Sequence, residues 1–342
     1  MTSMTTPPGV THAPARRLTA TRRAALGLAL GATVLTSACG LPDHVVGLHD
    51  APTETVSGAP FGEATAQEIT SATLTEADRL LASDASEKQL TAIMTGPALR
   101  LAQVAPRFRT GDPGALQAPS APTILAISTG RAWPRTILAT TQSDGVQRVH
   151  VLTSASPTAP FKLWLTADLL AGASIPALPP LGDGTTLVGK DHGLVASPTQ
   201  VLTLYGQLLN SPTTKASSAV VSARDAFASA IKTSSAQQTK ALGKLGTFKR
   251  TNAPIAGSIL AFRLADGSAL AFAQLTRTDT IKPTSKAKRL DLPKDLATLA
   301  KRKSVTDALR LTTIETLIAV IPVEKKATVI GAAEQLAGLS AK

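Results

Sequence analysis

The only thiol in the 342-residue chain, Cys39, follows Leu35-Thr36-Ser37-Ala38. Small residues ahead of a cysteine give a peptidase an extended backbone to grip, and the sulfur can then carry a lipid. The pattern is that of a lipobox, with Thr36 where Leu is commoner. Because Cys39 is the sole cysteine, no intramolecular disulfide can form and a cysteine-based metal site is excluded. A diacylglyceryl group on Cys39 would hold the chain at a membrane. Each buried acyl methylene contributes about 0.8 kcal/mol, and two chains give the stable attachment that one does not.

Other chemistry has thinner support. A nucleophilic hydrolase needs Ser or Cys within reach of a His that a carboxylate orients, and no G-x-S-x-G elbow is present. Of five histidines, His12 lies in the leader, and His44 and His49 lie in a Gly- and Pro-rich stretch. His150 falls inside an alternating run and reads as a sheet residue. His192, beside Asp191 and near Asp183, is the most suggestive polar cluster, but Gly, Asp and His are also turn formers. The histidines are too scattered for a metal site. No phosphate loop or dinucleotide fingerprint occurs, so no cofactor is expected. A glycosidase needs two facing carboxylates, and sequence alone does not pair any of the 23 acids.

The elements that would position Cys39 precede it. Arg16, Arg17, Arg22 and Arg23 form a positive region, and Ala24 to Ala38 is uncharged and mostly apolar. That run is shorter than the ~20 residues of a membrane span and has the layout of a removed signal peptide, residues 1–38. Arg22-Arg23 within Thr21-Arg22-Arg23-Ala24-Ala25-Leu26 matches a twin-arginine export signal except for Ala25 in place of Phe. The general secretory route is the other reading. Residues 39–65, lipidated Cys39 and its Gly/Pro-rich followers, read as a tether.

The body that follows is 43% hydrophobic by whole-chain composition, enough for a substantial core, with 3% aromatics. The chain carries formal charge +12, which falls to +8 without the leader's four arginines. Such an excess suits anionic lipid or acidic wall polymer as well as plain solubility. Nucleic acid is not expected of an exported chain with so few stacking residues.

Two units are expected, residues 66–178 and 196–342, joined by a Pro/Gly-rich linker at 179–195. The first opens with helices: a capped start at Thr75 with Leu74 as staple, then Leu90, Ile93 and Met94 at helical spacing. Gly96 stops that helix, and Pro97 opens another with Leu99, Leu101 and Val104 on its apolar side. Strands follow at 123–128, 135–142, 146–154 and 161–168, with a hairpin turn at Asp144-Gly145. The second unit repeats the order. Ser197-Pro198-Thr199-Gln200 starts a helix whose apolar face is Val201, Leu204, Tyr205 and Leu208. Helices around 225–231 and 237–245 precede a hairpin over 258–275 turned at Asp266-Gly267, and strands at 313–323 and 326–333 close the sheet. The expected class is α+β: tandem helix-on-antiparallel-sheet units of cystatin or NTF2-like geometry. One continuous α+β domain is the alternative.

Lys282, Lys286, Lys288, Arg289, Lys294, Lys301, Arg302 and Lys303 form the one basic concentration. Its leucines 290, 292, 296 and 299 are expected to face the core rather than a membrane surface. Trp133 and Trp164 are expected to pack rather than to hold a sugar.

Thr95-Gly96-Pro97-Ala98-Leu99, Trp133-Pro134-Arg135, Ala319-Val320-Ile321-Pro322 and Val329-Ile330-Gly331-Ala332 carry a resemblance. On these the chain resembles the uncharacterised exported lipoproteins of high-GC Gram-positive bacteria that share a domain of unknown function. The resemblance implies a secreted lipoprotein with a two-part body, and no catalytic residues. The expectation is a non-enzymatic binding or interaction module on the extracytoplasmic face of the cell membrane. Its partners would be the membrane, through lipid on Cys39, and an envelope protein, anionic lipid or wall polymer. The alternative is an envelope hydrolase using an unrecognised carboxylate or His/Asp site. An apolar cleft with few charges favours the first, and a buried carboxylate pair, or His192 with Asp183 or Asp191 in a cleft, the second.

Overall fold

Long alternating or continuously apolar runs become strands here, and the computed structural model sorts them into two antiparallel sheets. It describes residues 58–108, 120–130, 133–143, 145–189, 193–212 and 218–342. Cys39, Arg22, Arg23, His44, His49, Asp144, Asp191 and His192 lie outside the described residues.

Three helices come first: α1 (Glu63–Leu81), α2 (Glu87–Ile93) and α3 (Gly96–Phe108). The first sheet is a meander of β1 (Thr123–Ile127), β2 (Arg135–Ser143), β3 (Val146–Ser154) and β4 (Lys162–Asp168). Helices α4 (Pro198–Leu208) and α5 (Ala226–Leu242) follow, then β5 (Gly246–Pro254), β6 (Leu260–Arg263) and β7 (Ala269–Pro283). A small insertion, β8 (Leu290–Asp291), α6 (Lys294–Ala300) and β9 (Ser304–Val305), precedes β10 (Leu309–Ile321) and β11 (Thr328–Ala341). In the second sheet β5 and β6 lie end to end along one side of β7, and β10 and β11 follow on the other side. The class is α+β.

Each sheet buries one face against helices and turns the other toward its fellow sheet; on the second sheet that side is also met by α3, where Gln274 donates to Pro97 O and accepts from Arg100. Ala126, Leu138, Val149, Val151 and Leu165 of the first sheet form one cluster with Leu270, Phe272 and Ile318 of the second. Phe262 and Phe272 meet edge to face in that cluster, 6.0 Å between centroids. The helix-facing side of the first sheet, with Ile137, Ala139 and Leu152, packs on Ala66 of α1. The second sheet sets Ala269, Ala271, Ala273, Leu275 and Leu317 against α4 and α5. Being covered on both faces, β2 is buried over six consecutive residues, which is why its sequence does not alternate.

The segment 179–195, expected as a linker, is hydrogen-bonded to both sheets. Thr185 N–H donates to Ile127 O at the end of β1, and Val188 N–H donates to Ala261 O of β6.

Local readings differ in four places. No helix starts at Thr75: α1 begins after Gly62 and runs through it. Ala66, Thr70, Leu74, Ala77 and Leu80 make one unbroken buried stripe, and the Thr70 and Thr73 hydroxyls satisfy themselves on the carbonyls of Ala66 and Ile69. Residues 58–65, expected to end the tether, are part of the body, where Phe61 meets Phe161 edge to face at 5.7 Å. In α3 the buried positions are Pro97, Ala98 and Ala102, whereas Leu99, Leu101 and Val104 are half-buried. The two helices expected around 225–245 are one, α5, whose N-cap Asp225 accepts from Ala228 N–H and also from the Tyr205 hydroxyl at 2.9 Å.

Other readings hold. Ser197 caps α4 by accepting from Gln200 N–H, with Pro198 at the first position. The 258–275 hairpin turns at Asp266-Gly267, where Gly267 has φ 81°. Leu290, Leu292 and Leu296 of the basic segment pack against Ile281, Val305 and Leu309.

Candidate functional site

Between α1, α3 and the helix-facing side of the first sheet lies a cleft of about 260 Å³. It exists because of side-chain size. Ala98, Ala102 and Ala105 fall on one face of α3 at helical spacing, and three methyl groups do not fill the space that leucines would. Leu74 and Leu81 of α1, Met94, Leu101 and Leu163 complete apolar walls. Asp78 and Arg148 stand at the cleft, and Gln335 reaches it from β11.

A polar triplet sits in the sheet wall of the cleft. His150 is buried, and both ring nitrogens have hydroxyl partners: Thr141 Oγ1 at 2.9 Å from Nε2 and Thr166 Oγ1 at 3.1 Å from Nδ1. A hydroxyl can donate or accept, so either neutral tautomer is fully satisfied. Burial, helped by the Arg148 cation and opposed by Asp168, pushes His150 down to about 3. At neutral pH it is an uncharged imidazole that takes up no proton, and a general base needs a pKa nearer the working pH. Burial also raises the Asp78 carboxyl, against the pull of Arg148, which itself pairs with Asp168 at 2.7 Å.

Other expected residues do not gather here. Asp183 is exposed in a turn, its N–H on Pro180 O. Trp164 is 9% exposed and packs in the inter-sheet core beneath Gly96, as expected of a packing residue. Trp133 is half-buried and carries the Arg135 guanidinium 4.6 Å from its ring centroid.

Sequence reasoning missed a charge network on the helix-facing side of the second sheet. Arg250 binds Asp279 with two nitrogens, at 2.6 and 2.7 Å, and donates to Ile231 O and Ser235 Oγ of α5. Arg277 Nη1 donates to Glu315 at 2.7 Å and also to Glu334. Three carboxylates thus face two guanidiniums. Burial is the main reason that Glu315 rises to about 7, with Glu334 adding and Arg277 opposing. Glu315 has no exposed surface and cannot touch a substrate. The signal in sequence is a carboxylate among apolar neighbours, Ile314-Glu315-Thr316-Leu317.

Among the described residues no helix is long and apolar enough to cross a membrane, and no group of three metal-ligating side chains forms. Comparison with curated proteins and with solved structures gave no match. Residues 128–340, from the end of β1 through most of β11, match a family described as a domain of unknown function, DUF8094. With that span covering more than half of its length, the chain belongs to the DUF8094 family.

Proposed function

We propose that this protein is a lipid-anchored binding module on the extracytoplasmic face of the cell membrane, holding a small apolar group in the α1–α3 cleft. The observation that carries the reading is the cleft itself: about 260 Å³ with mainly apolar walls and an uncharged, internally satisfied histidine. An apolar cavity of about 150 Å³ is enough to hold benzene, so this one has room for one aromatic ring or a short acyl segment. The Thr141 and Thr166 hydroxyls, each with one bond to His150 and capacity for another, give a ligand's polar end hydrogen-bonding partners. The anchoring part rests on Leu35–Cys39 and the leader before it.

The test titrates the one-ring ligand 4-propylphenol into lipid-free Cys39→Ser protein by isothermal titration calorimetry, so that no detergent micelle competes for it. Saturable heat is expected. Ala105→Leu, which fills the cleft from a half-buried position, should abolish it with no loss of thermal stability. Equal heats in both proteins would sink the reading.

A further inference from the structure

The second sheet is longer than the cover it receives on its inter-sheet side. Beyond the inter-sheet core, strands β5, β7, β10 and β11 continue, and direct cross-strand pairing sets their side chains in rows. One row reads Lys249, Thr280, Arg310, Ser340. The next reads Thr251, Thr278, Thr312, Gly338. Paired residues share a face, and successive rows on that face are two residues apart along each strand. Lys249, Thr251, Arg310 and Ser340 are exposed, and Lys282 extends the face toward the end of β7.

Neither row contains an acid. The acids of these strands, Asp279, Glu315 and Glu334, engage Arg250 and Arg277 on the opposite face. Among the described residues Lys249, Lys282 and Arg310 form no ion pair. Lys282, Arg310 and Lys342 line a recess of about 220 Å³ with Ser340, Ala308 and Asp307. Asp307 is the one acidic side chain there and lies before β10 begins. Cations two strands apart, such as Lys249 and Arg310, are about 10 Å apart along a surface of hydroxyl donors.

We infer that this face binds a linear phosphate-bearing polyanion. Repeated charge along a chain suits cations spaced across a sheet, and threonine hydroxyls donate to phosphate oxygens between them. A bilayer fits less well. Stable surface binding needs apolar side chains to insert, and the large apolar side chains exposed among the described residues, Val146, Leu245 and Val323, are not in these rows.

The experiment measures binding of long-chain inorganic polyphosphate to the full chain in detergent across a salt series. Vesicles of phosphatidylglycerol in phosphatidylcholine, offered to lipid-free Cys39→Ser protein, form a second arm. One variant removes three cations of the face (Lys249→Gln, Lys282→Gln, Arg310→Gln). A second removes three from the neighbouring insertion (Lys286→Gln, Lys288→Gln, Lys294→Gln). The face variant should bind polyphosphate roughly tenfold or more weakly, with a salt dependence shallower by about 0.7 in log–log slope per lost contact. The insertion variant should stay near wild type. Equal weakening in both variants would reduce the effect to diffuse net charge and overturn the proposal. So would vesicle binding without polyphosphate binding, or no binding of either probe. Far-ultraviolet circular dichroism confirms that both variants are folded.

Discussion

Arg277 Nη1 donates to Glu315 of the neighbouring strand at 2.7 Å, yet the Glu315 carboxyl lies at about 7 instead of below its ordinary value. Two guanidiniums face three carboxylates in this network, and at Glu315, which has no exposed surface, burial outweighs the pull of Arg277. His150, buried in the other sheet, shifts the opposite way, to about 3.

These two shifts give opposing pH dependences. Glu315 has a folded pKa above its unfolded 4.5, so the folded state holds the extra proton and the contribution is full below 4.5 and lost as pH rises through 7. His150 has a folded pKa below its unfolded 6.5, so the unfolded state holds the extra proton and the contribution is present above 6.5 and lost as pH falls toward 3. Between 4.5 and 6.5 the two slopes cancel. Relative to Glu315→Gln, the wild type should lose about 1.4 kcal/mol per pH unit across 4.5–7. Relative to His150→Asn, it should gain about as much per unit across 3–6.5. Urea unfolding at a series of pH values measures both, and parallel curves would contradict them.

Arg250 and Asp279 form a buried bidentate pair that also ties β5 to α5. Asp279→Asn leaves a buried guanidinium without its counter-charge and should cost about 3–5 kcal/mol in denaturant unfolding. The double change Arg250→Met with Asp279→Leu should recover much of that loss, because it removes both charges from the interior.

Gly96 has φ 52°, and a Cβ there would come 2.7 Å from Trp164 Nε1. Gly96→Ala combines left-handed backbone strain with overpacking, each about 1–2 kcal/mol or more. A drop of several degrees in melting temperature is expected, with a change in tryptophan emission as the indole shifts. An unchanged protein would show that α3 slides away from β4 at little cost.

Cys39→Ser should abolish incorporation of alkyne-tagged palmitate in a bacterial host that processes lipoproteins, and move the chain from the membrane fraction to the medium. Retained labelling would place the lipid elsewhere.

The strands were legible because turn residues bracket them and their apolar content is high: β1 to β4 match the runs read at 123–168 within two residues at each end. β5 was not, because Thr247, Lys249 and Thr251 alternate with residues that include Arg250 and Asn252, so neither face reads as apolar. Its inward side chains Arg250 and Asn252 donate to Asp279 and Asn210, partners 29 and 42 residues away. The start of α1 is hidden because Leu74-Thr75-Glu76-Ala77-Asp78 has the chemistry of a cap, and only packing against the first sheet reveals that the helix is already under way. His150 reads as a sheet residue in the sequence and lies in β3. The cleft beside it had no sequence signature, since it arises from alanines on α3 that are also ordinary helix formers.

Ala59 N–H donates to Gly182 O, and Gly184 leaves no room for a side chain against Ala59 and Gly58. The point where the chain enters its folded body is therefore buckled to the segment that stitches the two sheets together. Tension applied from the N-terminal side meets that buckle before it reaches the first turn of α1. The hold on the entering chain and the alignment of the sheets share one fastening, so a side chain at Gly184 would loosen both at once.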